Sequence, residues 1–154
     1  MNTFSTIASV MTDYKHLVTV SPEDSLLSVK EIFDTHKFHH IPVVHFREIV
    51  GIISKTDFQL FYGGASLHEK DPHLVESRLK RAHAKDIMTT GLGKLEPDDR
   101  INVALEIFCG NWFHALPVVQ DGELVGILTP FDIMRALLDE KPIAPHLVYD
   151  KDNK

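Results

Sequence analysis

The sequence is short of cysteine, of positive charge and of long apolar runs, and each shortage removes a class of protein. The one cysteine, Cys109, leaves no intrachain disulfide possible, which fits a reducing cytoplasm. Cys109 closes an apolar run with no glycine-rich elbow or paired base beside it, so it reads as a helix thiol rather than a nucleophile. The formal net charge is -6. A protein that neutralises phosphate backbones is usually basic, so no nucleic acid is expected as a partner. No apolar run approaches the roughly 18–20 residues that span a bilayer. Met1 to Val10 has neither a basic region nor an apolar core of signal-peptide type. The expectation is a soluble, cytoplasmic chain without a membrane partner. No Walker-type loop, nucleophile–base pair or metal triad is present, so no catalytic residues and no metal are assigned, and the chain is not expected to be an enzyme.

What the sequence does contain is a copy of itself. Shifted by 75 residues, 15 positions between Pro22 and Phe58 are identical to those between Pro97 and Ile133. Pro22 and Asp24 fall on Pro97 and Asp99. Glu31-Ile32-Phe33 falls on Glu106-Ile107-Phe108, and Pro42-Val43-Val44 on Pro117-Val118-Val119. Gly51, Ile52 and Asp57 fall on Gly126, Ile127 and Asp132. Met11-Thr12 and Met88-Thr89 correspond after a slip of two residues. Such self-similarity marks a repeated structural unit.

Each half predicts the order strand, helix, strand, strand, helix. The first strand is Leu17–Val20 or Gly93–Leu95. Ser21-Pro22-Glu23-Asp24 has the proline and acids of a helix start. Leu26, Leu27, Ile32 and Phe33 recur at helical spacing. Ile41–Val44 with Ile49–Ile53, and Leu116–Val119 with Leu124–Leu128, are strand pairs. Asp121-Gly122 is a strong hairpin turn, whereas His45-Phe46-Arg47-Glu48 is a weak one. The second helices are Lys55–Phe61 and Pro130–Leu138. Gly63-Gly64 should end the first half, and Pro72–Arg81, behind Asp71, should form a short linker helix. The organisation is a unit at 8–62, a linker with a short helix at 63–83, a second unit at 84–140 and a tail at 141–154. A unit this small buries too little apolar surface alone, so the two should pack about a pseudo-twofold axis. Phe33, Phe38, Phe108, Phe113 and Trp112 are expected in the core.

These marks together resemble the CBS-domain family. They are Val10-Met11-Thr12 and Ile87-Met88-Thr89 at the head of each unit, Ile41-Pro42-Val43-Val44 and Leu116-Pro117-Val118-Val119, and Gly51-Ile52-Ile53-Ser54-Lys55-Thr56-Asp57 with Gly126-Ile127-Leu128-Thr129-Pro130-Phe131-Asp132. The resemblance covers about Ala8 to Leu138. It implies an α/β (α+β) fold of two β-α-β-β-α units forming a Bateman module. It also implies a non-catalytic regulatory role. Such modules bind an adenosine compound (AMP, ADP, ATP or S-adenosylmethionine) in the cleft between units, as a regulatory ligand and not an obligatory cofactor.

The resemblance further implies two composite sites. Site A would hold Thr19, His39, His40, Ile41, Thr129 and Asp132. Site B would hold Ser54, Lys55, Asp57, Leu95, His114, Ala115 and Leu116, with Leu95 where site A keeps a threonine. Because site A has no Lys or Arg in its motif loop, AMP or an adenosyl compound with no phosphate is expected there over ATP. The physical logic is a carboxylate accepting ribose hydroxyls beside helix N–H groups that face a phosphate. Read without the resemblance, Asp57 and Asp132 could equally be helix N-terminal acids favoured by the macrodipole. Similar modules pair through their helices, so a homodimer through Phe58, Leu60, Phe61, Ile133, Leu137 and Leu138 is expected. An effector protein would receive the signal. The alternative is a structural or adaptor dimer that binds a partner protein and no nucleotide.

Overall fold

The computed structural model describes residues 1–68, 71–111 and 113–139, with the backbone alone for 65–68. The expected core residue Trp112 and the tail at 141–154 lie outside the described residues. The chain runs through β1 (Thr12–Asp13), α1 (Leu26–Thr35), β2 (His40–His45), β3 (Glu48–Ser54), α2 (Lys55–His68), α3 (Pro72–Arg81), α4 (Ala84–Ile87), α5 (Ile101–Cys109), β4 (Leu116–Gln120), β5 (Glu123–Leu128) and α6 (Pro130–Asp139). It is a mixed helix and sheet fold in which helix, strand, strand, helix occurs twice, as the repeat implies.

Each half folds around an antiparallel hairpin. β2 pairs with β3, with Ile41 opposite Ile53 and Val43 opposite Gly51. β4 pairs with β5, with Leu116 opposite Leu128 and Val118 opposite Gly126. Both ladders slip register at the same place, Val43/Val44 and Val118/Val119. At the tips Asp121 and Gly122 both take positive φ, as a two-residue hairpin turn requires. Phe46 (φ 48) and Arg47 (φ 70) adopt the same left-handed turn without a glycine, which costs roughly 1–2 kcal/mol per residue. Tertiary contacts hold that weak turn in place. The Arg47 carbonyl accepts from Leu124 N–H at 2.9 Å, and its guanidinium lies 4.9 Å from the Tyr14 ring.

Four sequence-based expectations need correction. The first strands are absent as strands: Val20 and Leu95 each make one isolated parallel bridge, to Val43 and Val118. Ser21–Asp24 does not open the helix. It forms a turn in which Asp24 Oδ2 accepts from Ser21 N–H at 2.8 Å, and α1 starts after the cap Ser25, whose side chain accepts from Ser28 N–H. Gly63-Gly64 does not end the second helix, because α2 continues to His68. Phe58 (6% exposed) and Ile133 (4%) are core residues and cannot line a dimer face. The linker helix is as expected, capped by Asp71 with Pro72 in its first turn.

The halves exchange their leading segments. Ile7 and Ala8 donate to the carbonyls of Asp99 and Pro97, at 2.8 and 3.0 Å. Ala84 and Lys85 donate to those of Asp24 and Pro22, at the same distances. β1 adds to the edge of the second sheet, giving the order β1-β5-β4, and Thr89 bridges Ile52 in the first. Reciprocal contacts of this kind are what a twofold relation produces. The cores follow the same exchange. Ala84 is buried with Leu26, Val29, Phe33, Ile41 and Ile53, and Ile7 with Ile101, Ala104, Leu116 and Leu128. A third cluster of Ile49, Ile52, Ala115, Leu124 and Ile127 joins the units. Phe33 is buried, while Phe38, Phe108 and Phe113 are half-buried.

The recurring methionine and glycine explain each other. A Cβ on Gly126 would lie 2.8 Å from Met11 Sδ and 2.8 Å from the Thr12 carbonyl oxygen. A Cβ on Gly51 would meet the Met88 side chain, its sulfur at 2.5 Å. A thioether can swing away, but a strand carbonyl cannot move without unpairing β1. Gly126→Ala is therefore expected to destabilise the protein by about 1–3 kcal/mol, and by more than Gly51→Ala. Urea midpoints of the two variants test this, and the reverse order would mean that β1 is not held by backbone contact.

Candidate functional site

The repeated Gly-x-x-Ser/Thr-x-x-Asp motif runs from a strand into a helix, and in the second unit its geometry is that of a capping box. In the second unit Thr129 N–H and Thr129 Oγ1–H donate to Asp132 Oδ2, at 2.8 and 2.6 Å. Asp132 N–H returns to Thr129 Oγ1 at 3.4 Å. In the first unit Ser54 Oγ–H donates to Asp57 Oδ2 at 2.5 Å, and Asp57 N–H to Ser54 Oγ at 3.0 Å. The helix-acid reading of Asp57 and Asp132 is thus correct for one carboxylate oxygen of each. The motif also holds each carboxylate in a fixed direction at the mouth of a cleft.

The cleft at Asp132 measures about 810 Å³, within the range of small-molecule sites. Thr12, Thr129 and Asp132 provide polar groups, and Leu17, Val18, Phe38, Ile127 and Met134 line it with apolar surface. His16, His39, His40 and His114 border it, as do Lys37 and Arg135. The cleft at Asp57 is smaller, about 570 Å³, with Ser54, Lys55, Thr56 and Thr89 facing Ile52, Leu92, Phe113 and Ala115.

Of the site A residues expected from sequence, His39, His40, Thr129 and Asp132 line the larger cleft. Thr19 lines neither cleft. Ile41 is fully buried in the first core, so its side chain cannot meet a ligand. Of the site B residues, Ser54, Lys55, Asp57, His114 and Ala115 line the smaller cleft. Leu95 and Leu116 are buried in the second core. A strand's alternation explains Ile41 and Leu116, whose neighbours His40 and Ala115 line the clefts while they point the other way.

Sequence reasoning missed Thr12, Lys37 and Arg135. Thr12 Oγ1–H donates to Asp132 Oδ1 at 2.9 Å, across 120 residues of chain. The methionine–threonine motif was visible, but its partner was not, because β1 docks on the opposite unit. Arg135 is one helical turn beyond Asp132, a spacing that could have shown it. With Lys37 and Arg135 at its border, site A does have cations, and the argument for AMP over ATP from their absence in the motif loop does not hold.

His39, His40 and His114 line both clefts. The His40 pKa is lowered from its ordinary 6.5, first by burial and then by His114 and His39, with Asp57 opposing. Among the described residues, no group of three or more His, Cys, Asp or Glu is placed to hold a metal ion, and no helix is long and apolar enough to cross a membrane.

Comparison with known proteins meets this geometry from another side. The family model of the CBS domain matches residues 7–62 and again 84–139. The uncharacterized protein MJ1225 of Methanocaldococcus jannaschii is 29% identical over 133 residues, which is 82% of this chain and 47% of that protein. An inosine-5'-monophosphate dehydrogenase of Korarchaeum cryptofilum is 29% identical over 77% of this chain and 22% of the enzyme. The chain thus spans less than half the length of these curated relatives. A crystal structure of CBSX2, an Arabidopsis thaliana protein, in complex with AMP is similar at a TM-score of 0.71 and 26% identity, over 87% of this chain and 96% of that one.

The lowered His40 pKa has a stability consequence. The unfolded chain takes up a proton on His40 more readily than the folded one. The contribution of neutral His40 is therefore complete above pH 6.5 and is lost as the pH falls through the folded pKa. Urea titrations above and below pH 6.5 should show wild type losing more stability on acidification than His40→Asn. Equal losses would mean that His40 is not held neutral by its surroundings.

Proposed function

Because the chain belongs to the CBS-domain family and consists of a tandem pair of CBS units, we propose that it is a non-catalytic regulatory module that binds an adenosine-type ligand in the cleft at Asp132. The observation that carries this reading is the oriented Asp132 carboxylate in an apolar-walled cleft bordered by cations. A carboxylate accepts hydrogen bonds from vicinal ribose hydroxyls. Leu17, Val18, Ile127 and Met134 offer apolar surface to a flat base, and Lys37, Arg135 and the histidines offer charge or donors to a phosphate. The AMP complex of the similar CBSX2 supports the same ligand class. The cleft at Asp57 is a second, smaller candidate for the same class.

The test is a thermal-shift panel of AMP, ADP, ATP and S-adenosylmethionine, followed by calorimetry on variants. A ligand at a hundredfold excess over Kd adds about 2.7 kcal/mol of stability. Asp132→Asn keeps an acceptor for the helix cap but removes the charge. It is expected to weaken the best ligand by about tenfold to a hundredfold, from a loss of roughly 1.5–3 kcal/mol. A stronger effect from Asp57→Asn would move the main site to the smaller cleft. No shift with any ligand would favour the adaptor reading.

The apolar surface left uncovered supports a homodimer. Leu60, Leu137 and Leu138 are exposed on α2 and α6, Leu138 at 84% and Leu60 at 72%. An isologous contact would bury this stripe. Sedimentation at micromolar concentration should give a dimer, and Leu138→Glu a monomer. A wild-type monomer would overturn the pairing.

A further inference from the structure

We propose that Thr12 is a built-in competitor for the ribose diol, a positioning residue whose hydroxyl holds the acceptor place on Asp132 that a riboside must take. The inference rests on the adenosine-ligand reading above. A carboxylate has about four acceptor positions. Among the described residues Asp132 already fills three, with Thr129 N–H and Thr129 Oγ1–H on Oδ2 and Thr12 Oγ1–H on Oδ1. One position is left, and a vicinal diol that donates both hydroxyls needs two.

One bond must therefore yield, and the three are not equivalent. The Thr129 N–H bond belongs to the capping box, and the Thr129 hydroxyl is held beside it because its oxygen also accepts from Asp132 N–H at 3.4 Å, so displacing either disturbs the start of α6. The bond from Thr12 can break by rotation of its side chain while β1 stays paired with Ile127 and Gly126. Ligand binding thus exchanges an internal hydroxyl for a ligand hydroxyl, and Thr12 lowers affinity for ribosides in particular. The smaller cleft has no such device: Thr89 lines it and bridges Ile52, but among the described residues no hydrogen bond joins its side chain to Asp57.

The experiment measures AMP and 2',3'-dideoxy-AMP by titration calorimetry, in an Asp57→Asn background that restricts the reading to the larger cleft. Thr12→Val and Thr12→Ala remove the hydroxyl, and Thr12→Ser keeps it. Removing the hydroxyl is expected to tighten AMP by about threefold to tenfold. Thr12→Ser should bind AMP like the parent, and dideoxy-AMP, which has no diol, should bind all variants alike. AMP binding that is unchanged or weaker in Thr12→Val and Thr12→Ala overturns the inference, as does an equal gain for dideoxy-AMP. AMP binding by wild type that is lost in the Asp57→Asn parent also overturns this inference alone. Absence of AMP binding by wild type overturns the adenosine-ligand reading and this inference together.

Discussion

The structure depends on a clasp made twice. At Ser21–Asp24 and Glu96–Asp99 an aspartate side chain closes a turn, accepting from Ser21 N–H and Glu96 N–H at 2.8 Å in both cases. Closing the turn leaves the carbonyls of Pro22 and Asp24, and of Pro97 and Asp99, facing outward. Each pair of carbonyls takes two backbone N–H groups from the leading segment of the other half. Unpaired buried backbone groups are costly, so the clasp fixes where each segment enters. Ala84 and Ile7, both fully buried, complete cores that the halves cannot complete alone. The repeated proline and aspartate are thus the residues that make two small units one body.

The position of the candidate site follows from that clasp. Once Ile7 is seated, the next residues lie along the edge of β5, where Gly126 lets Met11 and the Thr12 carbonyl approach closely. Thr12 then faces the first turn of α6 and reaches Asp132. The capping box would orient Asp132 within its own unit, but the full environment of its carboxylate comes from both. A local motif makes the carboxylate, and the exchange of segments makes the cleft around it.

What was legible in the sequence divides along the same line. Local signals were read well: the hairpin at Asp121-Gly122, the cap at Asp71 with Pro72, and the hydroxyl–carboxylate spacing at 54–57 and 129–132. The start of α1 was misread because proline and acids also suit a turn, and here Asp24 closes that turn. The end of α2 was misread because two glycines weaken a helix by roughly 1 kcal/mol each without forbidding it. The first strands expected at Leu17–Val20 and Gly93–Leu95 do not form, because only Val20 and Leu95 reach a neighbouring strand, each by a single bridge. Thr12 and Lys37 could not have been found by spacing, since their places depend on which unit each segment joins. Ile41, Leu95 and Leu116 enter the expected sites through the family resemblance, yet each is buried in a core.

The histidines connect the two clefts. His39 and His40 precede and open β2, and His114 stands at the equivalent place before β4, so the repeat itself brings them together where the units meet. All three line both cavities. Burial and the neighbouring imidazoles disfavour a charge on His40, while Asp57 favours it. An anion placed in either cleft would add to the side of Asp57 and draw a proton toward the junction. The two cavities built from repeated motifs therefore share His39, His40 and His114 as a common wall, so the repeat that makes two clefts also makes them adjacent.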